Sequence, residues 1–349
     1  MTSNIDFSRN DTIMTMDLDV ISFSGLSPGE SLSLAFSVAF GQITADSWTA
    51  TYIADSAGTV RLSALGRMWN RYLIAYQDRI RRNNTPYIAP DLLDVTITYT
   101  MENDTTATCH RYLTYSRRRL VHQFGYLPFL SKKKHTFADA EEPVTVLSSN
   151  VNLTVIATYV RNGVQETSNV IQLQWTDYSL GGRAAYVSPT VIYNNLPSGA
   201  KLMEYTVRML SSGTGTVVDS CTYIVDQQNT LRTQMIWLNR WGVYETLSMM
   251  GTQTLAPERT AEFGWCGDDW MGLDMEVADE YECSTGYVGD NEWNQVRDLA
   301  ESPIVWLWNG LAWHRVTITG VRLSRIKPTN EAPACIVRYR LSDREAEWF

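Results

Sequence analysis

The chain is 349 residues long, which at about 100 to 200 residues per domain predicts two or three units. A hydrophobic fraction of 44% with 19% charged residues is that of a folded globular protein, not of a low-complexity or disordered chain. The net charge of −9 is uneven: residues 1–134 carry 14 Lys and Arg against 12 Asp and Glu, whereas residues 135–349 carry 15 against 26, so the acidic back half excludes general nucleic-acid binding, which needs a basic face.

Residues 1–14 are polar and without period, and are expected to form an N-terminal arm. From Met16 a period of two sets in, through Leu18, Val20 and Phe23 and then Leu32, Leu34, Phe36 and Val38, with a turn at Pro28-Gly29. Trp48–Ile53 and Thr59–Leu62 predict a further strand pair. One strong helix follows over 63–82. Leu65, Trp69, Tyr72, Leu73, Tyr76 and Ile80 recur at three- and four-residue steps, Ser63 is placed to cap, and Arg79, Arg81 and Arg82 lie where the dipole favours cations. Strands resume at Val95–Thr100 and Ala107–Thr114, completing a β-rich unit over 15–134.

Arg117-Arg118-Arg119 and Lys132-Lys133-Lys134 then bracket the apolar run Phe124–Leu130. Two cationic clusters around a hydrophobic anchor are candidates to grip an acidic neighbour, including the acidic back half of another copy; the plainer reading is a solvated connector. A second unit, 135–228, reads as a small β-sandwich. Val151–Tyr159 and Val170–Trp175 face each other across Arg161-Asn162-Gly163, and strands at Ala185–Tyr193, Leu202–Leu210 and Val217–Val225 are set apart by Pro, Asn, Gly and Ser clusters.

The third unit, 229–349, is rich in tryptophan, with nine of the chain's 12. Its founding element is Met235–Tyr244, in which period two puts Met235, Trp237 and Asn239 on one face and Ile236, Leu238 and Arg240 on the other, with Gly242 letting the chain turn. Strands at Thr254–Phe263 and Met271–Cys283, a short helix over 290–301 with Trp293, Val296 and Leu299 on one face, and strands at Ile304–Trp308, Trp313–Ile318, Val321–Ile326 and Ala334–Leu341 follow, with a type I′ turn expected at Asn309-Gly310. The expected fold class is therefore mainly β with a minor helical part (α+β): two or three antiparallel sandwich or barrel-like units, one helix packed on the first and a short one in the last.

No catalytic set emerges, and the chain is read as non-enzymatic with no cofactor. Two carboxylates beside tryptophan in Asp268–Glu282 are what a glycoside hydrolase uses, but Leu273, Met275 and Val277 alternate with Asp274 and Glu276 as in a strand with a wet acidic face. Asp268, Asp269 and Asp274 could hold Ca²⁺, though not at EF-hand spacing, and no metal is assigned. Ser131-Lys132-Lys133-Lys134 fits Ser-x-x-Lys without the accompanying motifs, and His110, His122, His135 and His314 are scattered. Trp306, Trp308 and Trp313 would stand side by side in a hairpin, either as core or interface or, in the alternative reading of a carbohydrate-binding or adhesin module, as a sugar-stacking row. The five cysteines lack a Cys-x-x-Cys pair and are read as reduced and mostly buried; no apolar run nears the ~18 to 20 residues of a membrane span, and the N-terminus has no secretory pattern.

Trp237-Leu238-Asn239-Arg240-Trp241-Gly242-Val243-Tyr244, Pro257-Glu258-Arg259, Ser284-Thr285-Gly286-Tyr287 and Asp298 to Leu307 together resemble the C-terminal region of tail or baseplate structural proteins, minor-tail or distal-tail-like, of gut-bacterial phages and prophages. Trp48 to Val60 with the Trp69 helix is similar to their N-terminal module. The resemblance implies a modular β-rich virion protein, made in the host cytoplasm, that assembles with copies of itself and neighbouring tail proteins. Trp237, Arg240, Trp241, Arg117, Arg118, Arg119, Lys132, Lys133 and Lys134 are the candidate interface residues.

Overall fold

The computed structural model describes residues 1–7, 11–40, 43–80, 92–118, 129–146, 151–173, 183–227, 233–266, 269–287, 290–323 and 334–342. Arg81, Arg82, Arg119, His122 and Asp268 lie outside them. The chain is mainly β with a minor helical part, as its periodicities require.

The first unit contains β1 (Thr2–Ser3), β2 (Asp11–Met14), β3 (Ile21–Ser24), β4 (Ser31–Phe40), β5 (Ile43–Ile53), β6 (Thr59–Leu62), α1 (Leu65–Ile80), β7 (Leu93–Met101) and β8 (Thr106–Thr114). A five-stranded sheet in the order β2-β8-β7-β4-β5 and a three-stranded sheet β1-β3-β6 enclose a core with α1. In β4 the alternation is complete: Leu32, Leu34, Phe36, Val38 and Phe40 are buried and the Ser and Ala between them are half-buried. The residues expected to form an arm are instead woven in. β1 pairs antiparallel with β3, β2 runs parallel to β8, and Ile5 and Met14 are buried, because parallel pairing with a strand some hundred residues later leaves no local pattern. The helix cap is likewise remote: Asp19, not Ser63, accepts from the Gly66 N–H through its carboxylate (3.1 Å) and from Leu65 N–H through its carbonyl (3.1 Å).

In the second unit, β9 (Lys133–Phe137), β10 (Pro143–Val146), β11 (Val151–Arg161), β12 (Val164–Leu173), β13 (Arg183–Tyr186), α2 (Pro189–Tyr193), β14 (Lys201–Ser211) and β15 (Val217–Asp226) form a five-stranded sheet β12-β11-β14-β15-β9 with β10-β13 opposite. Asn162 and Gly163 at φ 52° and 79° make the expected tight turn. β9 runs parallel to β15, so a boundary at 134 would cut through a strand. The strand expected over Ala185–Tyr193 ends at Tyr186. Pro189 lacks the N–H a ladder needs but fits the first helical turn, and with Ser188 extended before it the chain enters α2. Tyr205 and Tyr223 stack at 4.7 Å in the core.

β16 (Thr233–Leu238), β17 (Tyr244–Met249), β18 (Gln253–Cys266), β19 (Asp269–Tyr287), α3 (Asp290–Ala300), β20 (Val305–Trp308), β21 (Trp313–Leu323) and β22 (Ala334–Leu341) make a seven-stranded sheet in the order β17-β16-β20-β21-β22-β19-β18. Every residue of β16 and β17 is buried, since this end of the sheet is covered on both faces. Ile236, Leu238, Tyr244, Trp306 and Trp313 join the core of the first unit, while Met235, Trp237, Leu247 and Leu307 build a separate core with Val296 and Leu299 of α3. The two strands expected at 313–318 and 321–326 are one strand, β21, with a register shift between Ile318 and Gly320. The β20–β21 connection is a four-residue loop, not the expected two-residue type I′ turn. Only Gly310 has positive φ, and the Asn309 side chain accepts from Leu311 and Ala312 N–H groups (3.0 Å each).

Candidate functional site

The hairpin from β16 to β17 is where the three units meet. Gly242 sits at φ +78°, and a Cβ on it would lie 2.2 Å from the carbonyl oxygen of Tyr115, so the first unit's backbone passes directly over the turn. Asn239, fully buried, holds the turn open by accepting from Trp241 N–H (2.9 Å) and Val243 N–H (3.3 Å). The two faces read from the period are, over Met235–Leu238, the two cores just described; beyond the strand's end Asn239 caps the turn and Arg240 reaches the same Asp298 as Trp237, off its expected face.

Behind the turn the Asp298 carboxylate of α3, with no exposed side-chain surface, collects four donors. Oδ1 receives Arg117 Nη2 and Arg240 Nε, both at 2.8 Å; Oδ2 receives Trp237 Nε1 at 3.0 Å and Arg240 N–H at 3.3 Å. Arg117 also reaches Glu301 (3.2 Å) and the Asp298 carbonyl (3.0 Å), and its own N–H donates to the Arg240 carbonyl (2.8 Å). One carboxylate thus ties the chain leaving the first sheet to the hairpin and helix of the third unit.

A second buried network joins the middle unit to the same sheet. Lys134 of β9 pairs with Glu245 of β17 and lies over the Tyr223 ring at 5.5 Å; Glu245 also accepts from Gln295 Nε2 of α3 (3.3 Å). Glu142 accepts from Thr136 (2.7 Å), Gln234 (3.2 Å) and Thr246. Burial pushes the Glu142 carboxyl above its usual range, against the pull of Lys134 and the two hydroxyls. For Lys134 burial works against the charge, but Glu245 and Glu142 outweigh it and the ammonium is held above its ordinary value. Burial also raises the Cys221 thiol alongside to about 12. These groups are internal, and what they do chemically is pair Lys134 with Glu245 inside the fold, while burial favours the neutral forms of the Glu142 carboxyl and the Cys221 thiol.

The candidate interface residues separate accordingly. Trp237 is fully buried, so no partner can reach it; Arg240 and Arg117 are largely buried on Asp298; Lys134 is buried on Glu245. Lys132 pairs with Asp219, which also accepts from Phe129 N–H (2.9 Å), while remaining 58% exposed itself. Trp241 is half-buried against Met14 and Val243, with the Arg240 guanidinium 5.6 Å from its ring centre. Arg118 and Lys133 are exposed. Trp306 and Trp313 are 6% and 7% exposed and Trp308 packs half-buried beside them, its ring 5.4 Å from that of Trp313; the three share one face, and that face is turned into the first unit's core. The candidates read from the sequence do not include Asp298, Glu142 or Glu245. The available signal lay in α3, where Glu292, Gln295 and Asp298 fall with Val296 and Leu299 on the buried side.

The fold and this joint define a class: a multi-unit β-rich protein whose strongest polar chemistry fixes its own units to one another. No family model matches the chain, and no curated protein matches it. Among solved structures it is similar to a periplasmic chaperone, SfaE, at 10% identity over 59% of this chain and 90% of that one, with a TM-score of 0.18, an overlap too small to bear on function.

Proposed function

We propose that this chain is a non-enzymatic structural component of a phage or prophage tail or baseplate, made in the host cytoplasm and carried in the virion, which works by docking to copies of itself and to neighbouring tail proteins. The observation that carries the reading is the setting of Trp306, Trp308 and Trp313. A glycan-binding module would present such rings as a solvent-facing row, whereas here two of the three are buried and the third packs half-buried beside them, cementing one unit to another. Supporting it are the two ionic networks, which tie together units that a modular connector would leave free to swing. A virion part has to carry load between neighbours, and a buried joint does so better than a linker. Arg118, Lys132, Lys133 and Trp241 are the candidate interface residues with surface left for a partner, Lys132 through the exposed part of its side chain.

Mass spectrometry of purified particles, with light scattering on the isolated protein, tests the reading. The expected result is a fixed copy number in tails and concentration-dependent self-association. A protein absent from particles, strictly monomeric and retained on a defined glycan would overturn it in favour of the adhesin alternative.

A further inference from the structure

Among the described residues, the β18–β19 ribbon continues well past the strand that borders it. The two strands pair from Gln253↔Cys283 to Cys266↔Asp269, but β22 borders β19 only from Tyr281 to Tyr287. Past Glu280 the ribbon is two-stranded among the described residues. Ten pairs, from Pro257↔Asp279 to Cys266↔Asp269, continue outward, about 34 Å of ribbon at 3.4 Å per pair. A two-stranded antiparallel ribbon is marginal in water unless a third strand or a packed face supports it, and a strand edge with free N–H and C=O groups is a template for another strand. Leu255 at its root is 54% exposed and Trp265 near its tip 68% exposed.

Charge decides what kind of strand fits. Residues 257–279 contain Glu258, Glu262, Asp268, Asp269, Asp274, Glu276 and Asp279 against a single base, Arg259: a net −6 within 23 residues of a chain whose total is −9. Two such ribbons from two copies would repel. Four of the described cations are committed elsewhere: Arg117 and Arg240 to Asp298, Lys132 to Asp219, Lys134 to Glu245. At the root, Arg338 meets Glu282 (2.6 Å) and Arg340 approaches Glu280 (3.9 Å), so balance stops where the ribbon leaves the sheet.

We infer that the β18–β19 ribbon is a docking arm that accepts an extended, Lys- or Arg-rich strand of another protein along its open edge, the main chain supplying the ladder and the carboxylates selecting a basic sequence. This rests on the assembly reading only in naming a partner; the binding test uses the isolated protein and fails or succeeds independently of whether the chain is found in particles.

The probe is a fluorescein-labelled decapeptide of alternating Lys and Val, compared with the same peptide N-methylated at alternate residues, which keeps the charge but cannot complete a ladder. Fluorescence anisotropy with the full chain should give at least about tenfold tighter binding of the unmethylated peptide. A variant in which residues 257–279 are replaced by Asn-Gly should lose that preference while keeping its circular dichroism and melting temperature. Should that variant fail to fold, the double substitution Glu262→Lys, Asp269→Lys at two exposed positions leaves the backbone intact and should weaken binding by a similar factor. Equal binding of the two peptides would reduce the effect to bulk charge and overturn the proposal. So would ribbon-dependent self-association without any peptide preference, which would make the occupant a second copy.

Discussion

Replacing Asp298 by Ala should be among the most damaging single changes in the chain. The carboxylate has no exposed surface and is shared by Arg117, Arg240 and the Trp237 indole, each within 3.0 Å. Its removal leaves a buried indole N–H and the Arg240 N–H without an acceptor, at about 1 to 3 kcal/mol for such a group, and strips the counter-charge from two guanidiniums. Breaking a buried pair costs about 3 to 5 kcal/mol, but the two arginines retain 15% and 17% exposure and can recover some hydration, which lowers their share. Together the expected loss is about 3 to 5 kcal/mol, a large fraction of a typical stability of about 5 to 15 kcal/mol. Asp298→Asn keeps the volume and one acceptor, and should cost about half as much. Urea unfolding followed by tryptophan fluorescence and near-ultraviolet circular dichroism measures the change. A double-mutant cycle with Arg117→Met should give a coupling above about 1 kcal/mol. A loss below about 1 kcal/mol for Asp298→Ala, or strict additivity with Arg117→Met, would refute the claim that this carboxylate holds the units together.

Gly242→Val should destabilise by about 3 kcal/mol or more, because it combines a left-handed backbone with a side chain driven into the Tyr115 carbonyl; a soluble variant with an unchanged urea midpoint would show that the backbone above the turn can yield. Lys134→Met leaves Glu142 and Glu245 buried without their cation and should cost about 3 to 5 kcal/mol near neutral pH, less if Glu245→Leu is added. Since the Lys134 ammonium is held above its ordinary 10.5, its contribution is complete below that pH and is lost as pH rises through the folded value; the wild type should therefore lose more stability than Lys134→Met only as pH rises above 10.5, and parallel curves there would refute the pairing. Cys109, Cys221, Cys283 and Cys335 are buried and, with Cys221 pushed to about 12, should stay unlabelled by iodoacetamide in native protein at neutral pH; rapid labelling of Cys221 before unfolding, read by peptide mass spectrometry, would show that the joint opens.

The sequence by itself determined the elements whose stability is local. Period two placed β4, β11, β14, β15 and β22 close to where they lie, period 3.6 placed α1 and α3, and Asn162-Gly163 announced its turn, because one solvated and one buried face leave an alternating record. The two faces of Met235–Leu238 were legible for the same reason, though not the side taken by Arg240 past the strand's end, and so was the common face of Trp306, Trp308 and Trp313. What the periodicity could not say was what each face meets. Tertiary structure alone decided that the tryptophan face closes on the first unit's core, that Thr2–Ser3 and Asp11–Met14 join its sheets, and that Arg117, Lys132 and Lys134 pair with Asp298, Asp219 and Glu245. A charged residue in a sequence carries no sign of whether its counter-ion lies in water, in another molecule or some 180 residues away in its own chain, as for Arg117 and Asp298; folding decides that, since bringing the two together is what makes burying either of them tolerable.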